Sequence, residues 1–329
     1  MRNFFLSLAI TGLVVFTSTT RADDTTPVKM IFDTDIQGDV DDVGTVALLH
    51  ALADRGEVDV LAMGVSCKNP WSPLCLDALN TYFGRPDIPL GVVKGEAFLK
   101  PSKYAQQIAE EFPHQLKSAE QAPDAVEVYR QALAEAEDGS VVMVSVGQLT
   151  NLANLLKSGP DSYSELSGEE LVADKVKVWV CMGCKIPAGK EANIIHDPLP
   201  AKYAVEHWPT PIVFSGFEIG RDMLTGGALK SLPTSSPVRR AYELFNGIQP
   251  HNSYDQTAAL YAIRGLDGGL DHLWDLHTTG YCHIDEKGAN SWRESPNKDH
   301  AYLVEKAPKQ EVAAVIEAFM LHEPETKQN

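Results

Sequence analysis

The chain predicts an α/β fold: a mostly parallel sheet flanked by helices on both faces. Short β-branched runs alternate with longer amphipathic stretches, several of those runs are apolar without interruption, and polar clusters fall just after them. An unbroken apolar run suits a strand buried on both faces, and helical crossovers are what parallel strands need to follow one another in a sheet.

In chain order, VKMIF (28–32) reads as a strand ending at Asp33, and Asp42 to Leu52 carries apolar positions at helical spacing. VDVLAMGVS (58–66) is a second strand, Leu74 to Phe83 a helix, IPLGVV (88–93) a strand, and Asp124 to Glu137 a helix. SVVMVSVG (140–147), KVKVWVCMG (175–183) and PIVFSG (211–216) have the composition of buried strands. The stretch from Leu266 to Lys306, rich in Gly, His, Trp and Asp, shows no regular period. No internal repeat or linker interrupts the pattern, so residues 23–329 read as one domain.

The opening MRNFFLSLAITGLVVFTSTTRA has an early Arg2, an apolar run from Phe4 to Phe16 and a small residue, Ala22, before two aspartates. That is the layout of a secretory signal peptide over residues 1–22, and its apolar run is shorter than the roughly 20 residues a helix needs to cross a bilayer. A secreted or periplasmic protein is therefore expected. The formal net charge of −17 repels phosphate backbones and anionic lipid. The expected partner is a small molecule, with no nucleic acid and no membrane once the leader is removed.

Five cysteines could form two disulfides with one thiol left over, far below the density of a disulfide scaffold. Cys181 and Cys184 have CxxC spacing, but no second CxxC or nearby His pair completes a zinc site.

The segment DTDIQGDVDD places Asp33, Asp35, Asp39, Asp41 and Asp42 at a strand end. Carboxylates this close repel one another unless protons or a cation compensate, and calcium accepts six to eight oxygen ligands in flexible geometry. A solvated turn with Asp42 capping the next helix is the plainer reading. An EF-hand fails because Gln37 and Gly44 stand where ligands are needed. An aspartyl-nucleophile phosphatase also begins with DxD after a strand, but no well-placed Ser/Thr and Lys pair accompanies it here. Loops after parallel strands converge on one crevice, which favours a binding role for these acids.

This loop resembles the DxDxxxDD signature of inosine/uridine-preferring nucleoside hydrolases. SVGQLTNLA (145–153), VCMGC (180–184), KEANIIHDPLPA (190–201) and SYDQTAALYA (253–262) resemble, in order, that family's Gly-Pro-Leu-Thr-Asn-type turn, Met-Gly-Gly strand end, Glu-x-Asn segment and His-Asp segment. The resemblance implies the family's Rossmann-like fold, a Ca2+ cofactor, a nucleoside or related riboside as substrate, a part in purine or pyrimidine salvage, and association into a homo-oligomer. By it, Asp35 is the general base toward water held by calcium. Asp35, Asp42, Asp255 and the Val146 carbonyl are metal ligands, and Asp41, Asn69, Glu191 and Asn193 contact the sugar.

Two departures stand out. Five residues, IQGDV, separate Asp35 from Asp41 where the signature has three, and Tyr254 replaces the His before the last calcium-binding Asp. Tyr254 or His251 is then the candidate for protonating the leaving group. Trp71, Phe217 and Tyr254 are candidates for stacking on a base, and Glu218 for lining the pocket. The rival to a hydrolase of nucleosides is a calcium-dependent riboside-binding protein without catalysis, with a hydrolase of another glycoside between the two.

Overall fold

Alternation along the strands sends apolar side chains to both faces of a single sheet. Met30 and Phe32 pack into one core and Ile31 into the other; Val142 and Val144 oppose Val141 and Met143 in the same way. The computed structural model describes residues 26–294, 296 and 298–324, so the signal-peptide reading of residues 1–22 lies outside the described residues.

The first elements are β1 (Val28–Thr34), α1 (Asp41–Asp54), β2 (Val58–Val65), α2 (Ser72–Tyr82), β3 (Leu90–Val92), α3 (Ala105–Glu111) and α4 (Ala125–Glu135). Next come β4 (Val141–Ser145), α5 (Thr150–Lys157), α6 (Gly168–Lys175), β5 (Val176–Met182), β6 (Ala188–Lys190), α7 (Ala192–Ile195), α8 (Pro198–His207) and β7 (Ile212–Ser215). The remainder holds α9 (Phe217–Gly220), β8 (Leu224–Thr225), α10 (Pro237–Asn246), β9 (His251–Asn252) and α11 (Tyr254–Arg264). It ends with β10 (Trp274–His277), β11 (Tyr281–Ile284), β12 (Ala289–Arg293), β13 (His300–Glu305) and α12 (Lys309–Met320).

Eight strands form the main sheet in the order β10-β13-β7-β5-β4-β1-β2-β3. Every neighbouring pair is parallel except β10 with β13. Helices α1, α10, α11 and α12 supply the core on one face, and α4, α5, α6 and α8 the core on the other. The mostly parallel sheet flanked on both faces is thus present.

The chain leaves β1 toward β2 and β3 on one side, then returns to add β4, β5, β7 and β13 on the other. The reversal opens a crevice beyond the carboxyl ends of β1 and β4, the place where sheets of this kind bind ligands.

The stretch without sequence period, 266–306, contributes β10 and β13 to the sheet edge, while β11 and β12 pair with β6 in a separate three-stranded sheet. Its strands are short and only partly buried, with His, Asp and Trp mixed among apolar residues, so neither alternation nor an apolar run marks them. Among the described residues no helix is long and apolar enough to cross a membrane.

Candidate active site

The loop after β1 is built on a buried anchor. Asp33 is fully buried, and its Oδ2 accepts hydrogen bonds from the Tyr129 hydroxyl and from Asn151 Nδ2, the latter at 2.7 Å. Tyr129 reaches it only because Gly64 of β2 lacks a side chain: a Cβ there would lie 1.6 Å from the Tyr129 hydroxyl oxygen. With its base held in this way, the loop presents Asp35 and then runs into α1, where Asp41 and Asp42 occupy the first turn. Val40 takes the N-cap position and no side chain caps the helix, so the capping role considered for Asp42 is not realised. Its carboxylate instead accepts from the Thr34 hydroxyl and stays buried.

The C-terminal part of the set arrives on α11. The backbone N–H groups of Tyr254 and Asp255 donate to Asp41 Oδ2 at 3.0 and 3.2 Å, tying the start of α11 to the start of α1. Asp41, Asp42 and Asp255 each contribute a carboxylate oxygen to a group whose members lie within 4.8 Å of one another. They open into a cleft of about 290 Å³ whose floor and walls also include Asp35, Val146, Glu191 and Asn193. Two aromatic pairs flank the opening. Phe98 stacks on His196 at 3.9 Å between ring centroids, and Phe217 on Tyr254 at 5.2 Å.

The electrostatics of this cup are adverse without a counterion. Burial, reinforced by the charges of their neighbours, pushes the carboxyls of Asp41, Asp42 and Asp255 well above the ordinary range. Burial likewise raises Asp35 to about 6, against the stabilising hydrogen bond from Gln148 Nε2 at 2.8 Å. Glu191 is raised to about 7, again mainly by burial, and its Oε2 is buried without a hydrogen-bond partner. Hard oxygen donors crowded in this way, with one carboxylate oxygen left unsatisfied, fit a divalent cation together with a ligand rich in hydroxyls.

Of the residues singled out in the sequence, Asp35, Asp41, Asp42, Val146, Glu191, Asn193, Tyr254 and Asp255 are brought together around this one cleft. The Val146 carbonyl accepts from Asn193 Nδ2 at 2.8 Å, so those two are in contact with each other. Asn69 is placed elsewhere. It lines two neighbouring clefts, and its amide is spent on the Lys100 carbonyl and the Trp71 N–H. Trp71 lines one of those clefts beside it. His251 stands behind the loop with Nε2 2.6 Å from Asp39 Oδ1, which gives the extra loop residue Asp39 a partner. Glu218 accepts from the Ile186 N–H at 3.1 Å.

The sequence alone did not mark Gln148, Tyr129 and Asn151, which hold the acids in place, or Phe98 and Lys100, which line the cleft; His196, read from the sequence as near the site entrance, lines it too. Gln148 and Asn151 lie inside SVGQLTNLA, where proximity to Val146 was the available signal. Phe98 and Lys100 belong to an irregular segment that nothing local marks.

Fold and site together define an α/β protein that carries a cluster of buried acids at the carboxyl edge of a mostly parallel sheet. The family model for inosine-uridine preferring nucleoside hydrolases matches residues 30–316, and the chain belongs to that family, whose members act on small-molecule nucleosides. Among solved structures, a plant nucleoside hydrolase, PpNRh1, is 19% identical with a TM-score of 0.64, over 90% of this chain and 99% of that one. The purine-preferring ribonucleoside hydrolase from Gardnerella vaginalis is 16% identical with a TM-score of 0.66, over 89% and 99%. The type III effector protein XopQ, solved in complex with adenosine diphosphate ribose, is 14% identical with a TM-score of 0.67, over 91% and 95%. No curated protein matches by sequence. At these identities the solved structures speak for the fold, and the family model for the kind of enzyme.

Proposed function

We propose that the protein is an exported, calcium-dependent hydrolase that cleaves the N-glycosidic bond of a ribonucleoside or related riboside, releasing free base and ribose. The observation that carries this reading is the convergence of Asp41 and Asp42 with Asp255, more than 200 residues away in sequence, on one buried oxygen-rich cup. Asp42, Asp255, the Val146 carbonyl and Asp35 would hold the ion, with Asp41 beside them. Bound there, calcium would supply a Lewis-acid charge that makes water a better nucleophile and grips neighbouring sugar hydroxyls.

The protein's own groups do the rest. As the bond to nitrogen breaks, positive charge grows on the sugar ring, and the fixed carboxylates around it favour that charge more than the neutral ground state. Asp35, with a carboxyl raised to about 6, is largely ionised at neutral pH yet basic enough to take a proton from the attacking water. Asp41 and the unpartnered Glu191 Oε2 accept hydrogen bonds from the sugar, and Asn193 holds the wall between Val146 and Met182. Tyr254, with a hydroxyl pushed up to about 12 mainly by burial, keeps its proton at neutral pH and can deliver it to the departing base. His251, whose pKa its Asp39 partner helps to raise against the effect of burial, is the alternative donor. Direct attack by water, with no covalent intermediate, inverts the anomeric centre.

Purified protein incubated with a nucleoside panel and calcium should release ribose, and Asp35→Asn should lower kcat by about 10²–10⁴-fold, the usual contribution of a general base. XopQ was solved with adenosine diphosphate ribose, and Lys100 and Lys190 line this cleft, so the panel should include that compound. Release of free base no greater than that of Asp35→Asn on every compound would overturn the assignment.

A further inference from the structure

Cys184 follows β5 with φ at 68°, in the left-handed region that residues with a Cβ enter at a cost. The strand end that VCMGC resembles has Gly at this position, so the chain bears a strain that glycine would relieve. The side chain kept at that cost is fully buried, and its Sγ lies 3.4 Å from Sγ of Cys282 in β11, 98 positions further along. Neither sulfur lines the cleft, so the hydrolysis does not account for them.

The surroundings hold both thiols in register. Lys185 N–H donates to Asn290 Oδ1 and Asn290 Nδ2 to the Lys185 carbonyl, each at 2.8 Å, pinning the residue after Cys184 to β12, which itself pairs with β11. The other cysteines are placed differently. Cys67 and Cys75 belong to the core on the opposite face of the sheet, and Cys67 donates to the Ser72 hydroxyl. Cys181 shares a core cluster with Cys184 but lies within β5, where it pairs in register with Ser145 of β4.

We propose that Cys184 and Cys282 form a disulfide, tying the loop that leads into Glu191 and Asn193 to the small three-stranded sheet. The sulfurs, 3.4 Å apart, need to close to the roughly 2.05 Å of a bond. The oxidant is a small-molecule or protein disulfide. One cysteine thiolate attacks it and releases a thiol, leaving a mixed disulfide; the second cysteine then displaces the other sulfur as a second thiol. The two cysteines give up two electrons and two protons, which leave on the two thiols formed from the donor. Because both sulfurs are buried in the finished fold, the exchange takes place while the chain is folding, in an oxidising compartment. The proposal is independent of the catalytic assignment.

The test uses the full chain in two preparations: one secreted from an oxidising compartment, the other refolded from denaturant with a mixture of reduced and oxidised glutathione. Both are alkylated in denaturant without reductant and weighed. The expected result is three modified cysteines out of the five, a linked peptide pair containing Cys184 and Cys282, and four modified cysteines in Cys282→Ser. Reduction should lower Tm by several degrees in the wild type and leave that of Cys282→Ser unchanged, because a loop of this length loses much of its closure entropy when cross-linked. Five modified cysteines in both preparations, or a link that uses Cys181 instead, overturns the proposal.

Discussion

Gly147 follows the strand β4 and its neighbour Val146, and its missing side chain is what lets Asp35 occupy its place. A Cβ built on Gly147 would stand 2.6 Å from the Asp35 backbone nitrogen, 2.7 Å from the Asp35 Cβ and 2.6 Å from the Ser66 hydroxyl. Carbon contacts settle at about 3.5–4.0 Å, so Gly147→Ala must push Asp35 back by roughly 1 Å. Two of the three atoms in the way are the backbone nitrogen and Cβ of Asp35, whose carboxylate is tethered by Gln148, so rotating the Ser66 hydroxyl aside does not relieve the overlap. A displacement of that size at a reacting group costs about 10²-fold in rate, equivalent to about 2.7 kcal/mol of barrier. Overpacking should cost about 1–3 kcal/mol of stability as well. Gly159→Ala is the control: that residue is exposed and has nothing within 4 Å of its built Cβ, so rate and stability should both hold within about 0.5 kcal/mol. Initial rates of ribose release and urea unfolding of the three proteins decide the matter. Gly147→Ala with kcat within twofold of wild type and an unchanged unfolding midpoint would refute the claim that close packing of β4 sets the position of Asp35.

Other consequences can be measured in the same preparations. Tyr254→Phe should lower kcat by about 10²-fold with little change in KM if this hydroxyl protonates the leaving base, whereas His251→Gln should then stay within a few-fold of wild type; the reverse pattern transfers the role to His251. Arg130 is buried, pairs with Asp161 at 2.6 Å and donates to the carbonyls of Ser164 and Leu166, so Arg130→Met should cost about 3 kcal/mol in urea unfolding, and a loss under 1 kcal/mol would count against that network. His50 is fully buried against Asn80 Oδ1 at 2.9 Å, and burial lowers its pKa from 6.5 to about 3. The unfolded chain takes up a proton on His50 that the folded state resists, so this group's contribution to stability is complete above pH 6.5 and is lost as pH falls toward 3, by up to about 1.4 kcal/mol per pH unit. Unfolding free energies measured between pH 6.5 and 4 should fall less steeply for His50→Gln than for wild type, and equal slopes would contradict the assignment.

Much of the fold was legible because a buried parallel strand has little freedom in composition: β4 and β7 are apolar up to a final Ser, and β1, β2 and β5 are mostly apolar with charged residues near their ends. β10 to β13 were not legible, since an edge strand or small-sheet strand such as WDLH or ANSWR satisfies its surroundings with mixed residues. In the site, acids adjacent in sequence announced themselves through their mutual repulsion. Asp255 was located by resemblance, and only tertiary structure, through the bonds from its N–H and that of Tyr254 to Asp41, brings it to the others. Asn69 suits a sugar contact by residue type, and the loop after β2 turns its amide toward Lys100 and Trp71, partners that no local pattern encodes. Long-range partners such as Tyr129 beneath Asp33 depend on Gly64 opposite, a pairing no local pattern encodes.

The central claim is that acids more than 200 residues apart, on α1 and α11, make one cation site. Calorimetric titration of calcium into chelator-treated wild type and Asp255→Asn tests it most directly, with circular dichroism confirming that both are folded. The account requires one calcium per wild-type chain, and binding weakened at least tenfold, or lost, in the variant. No calcium binding by the wild type, or equal binding by the two proteins, would contradict it.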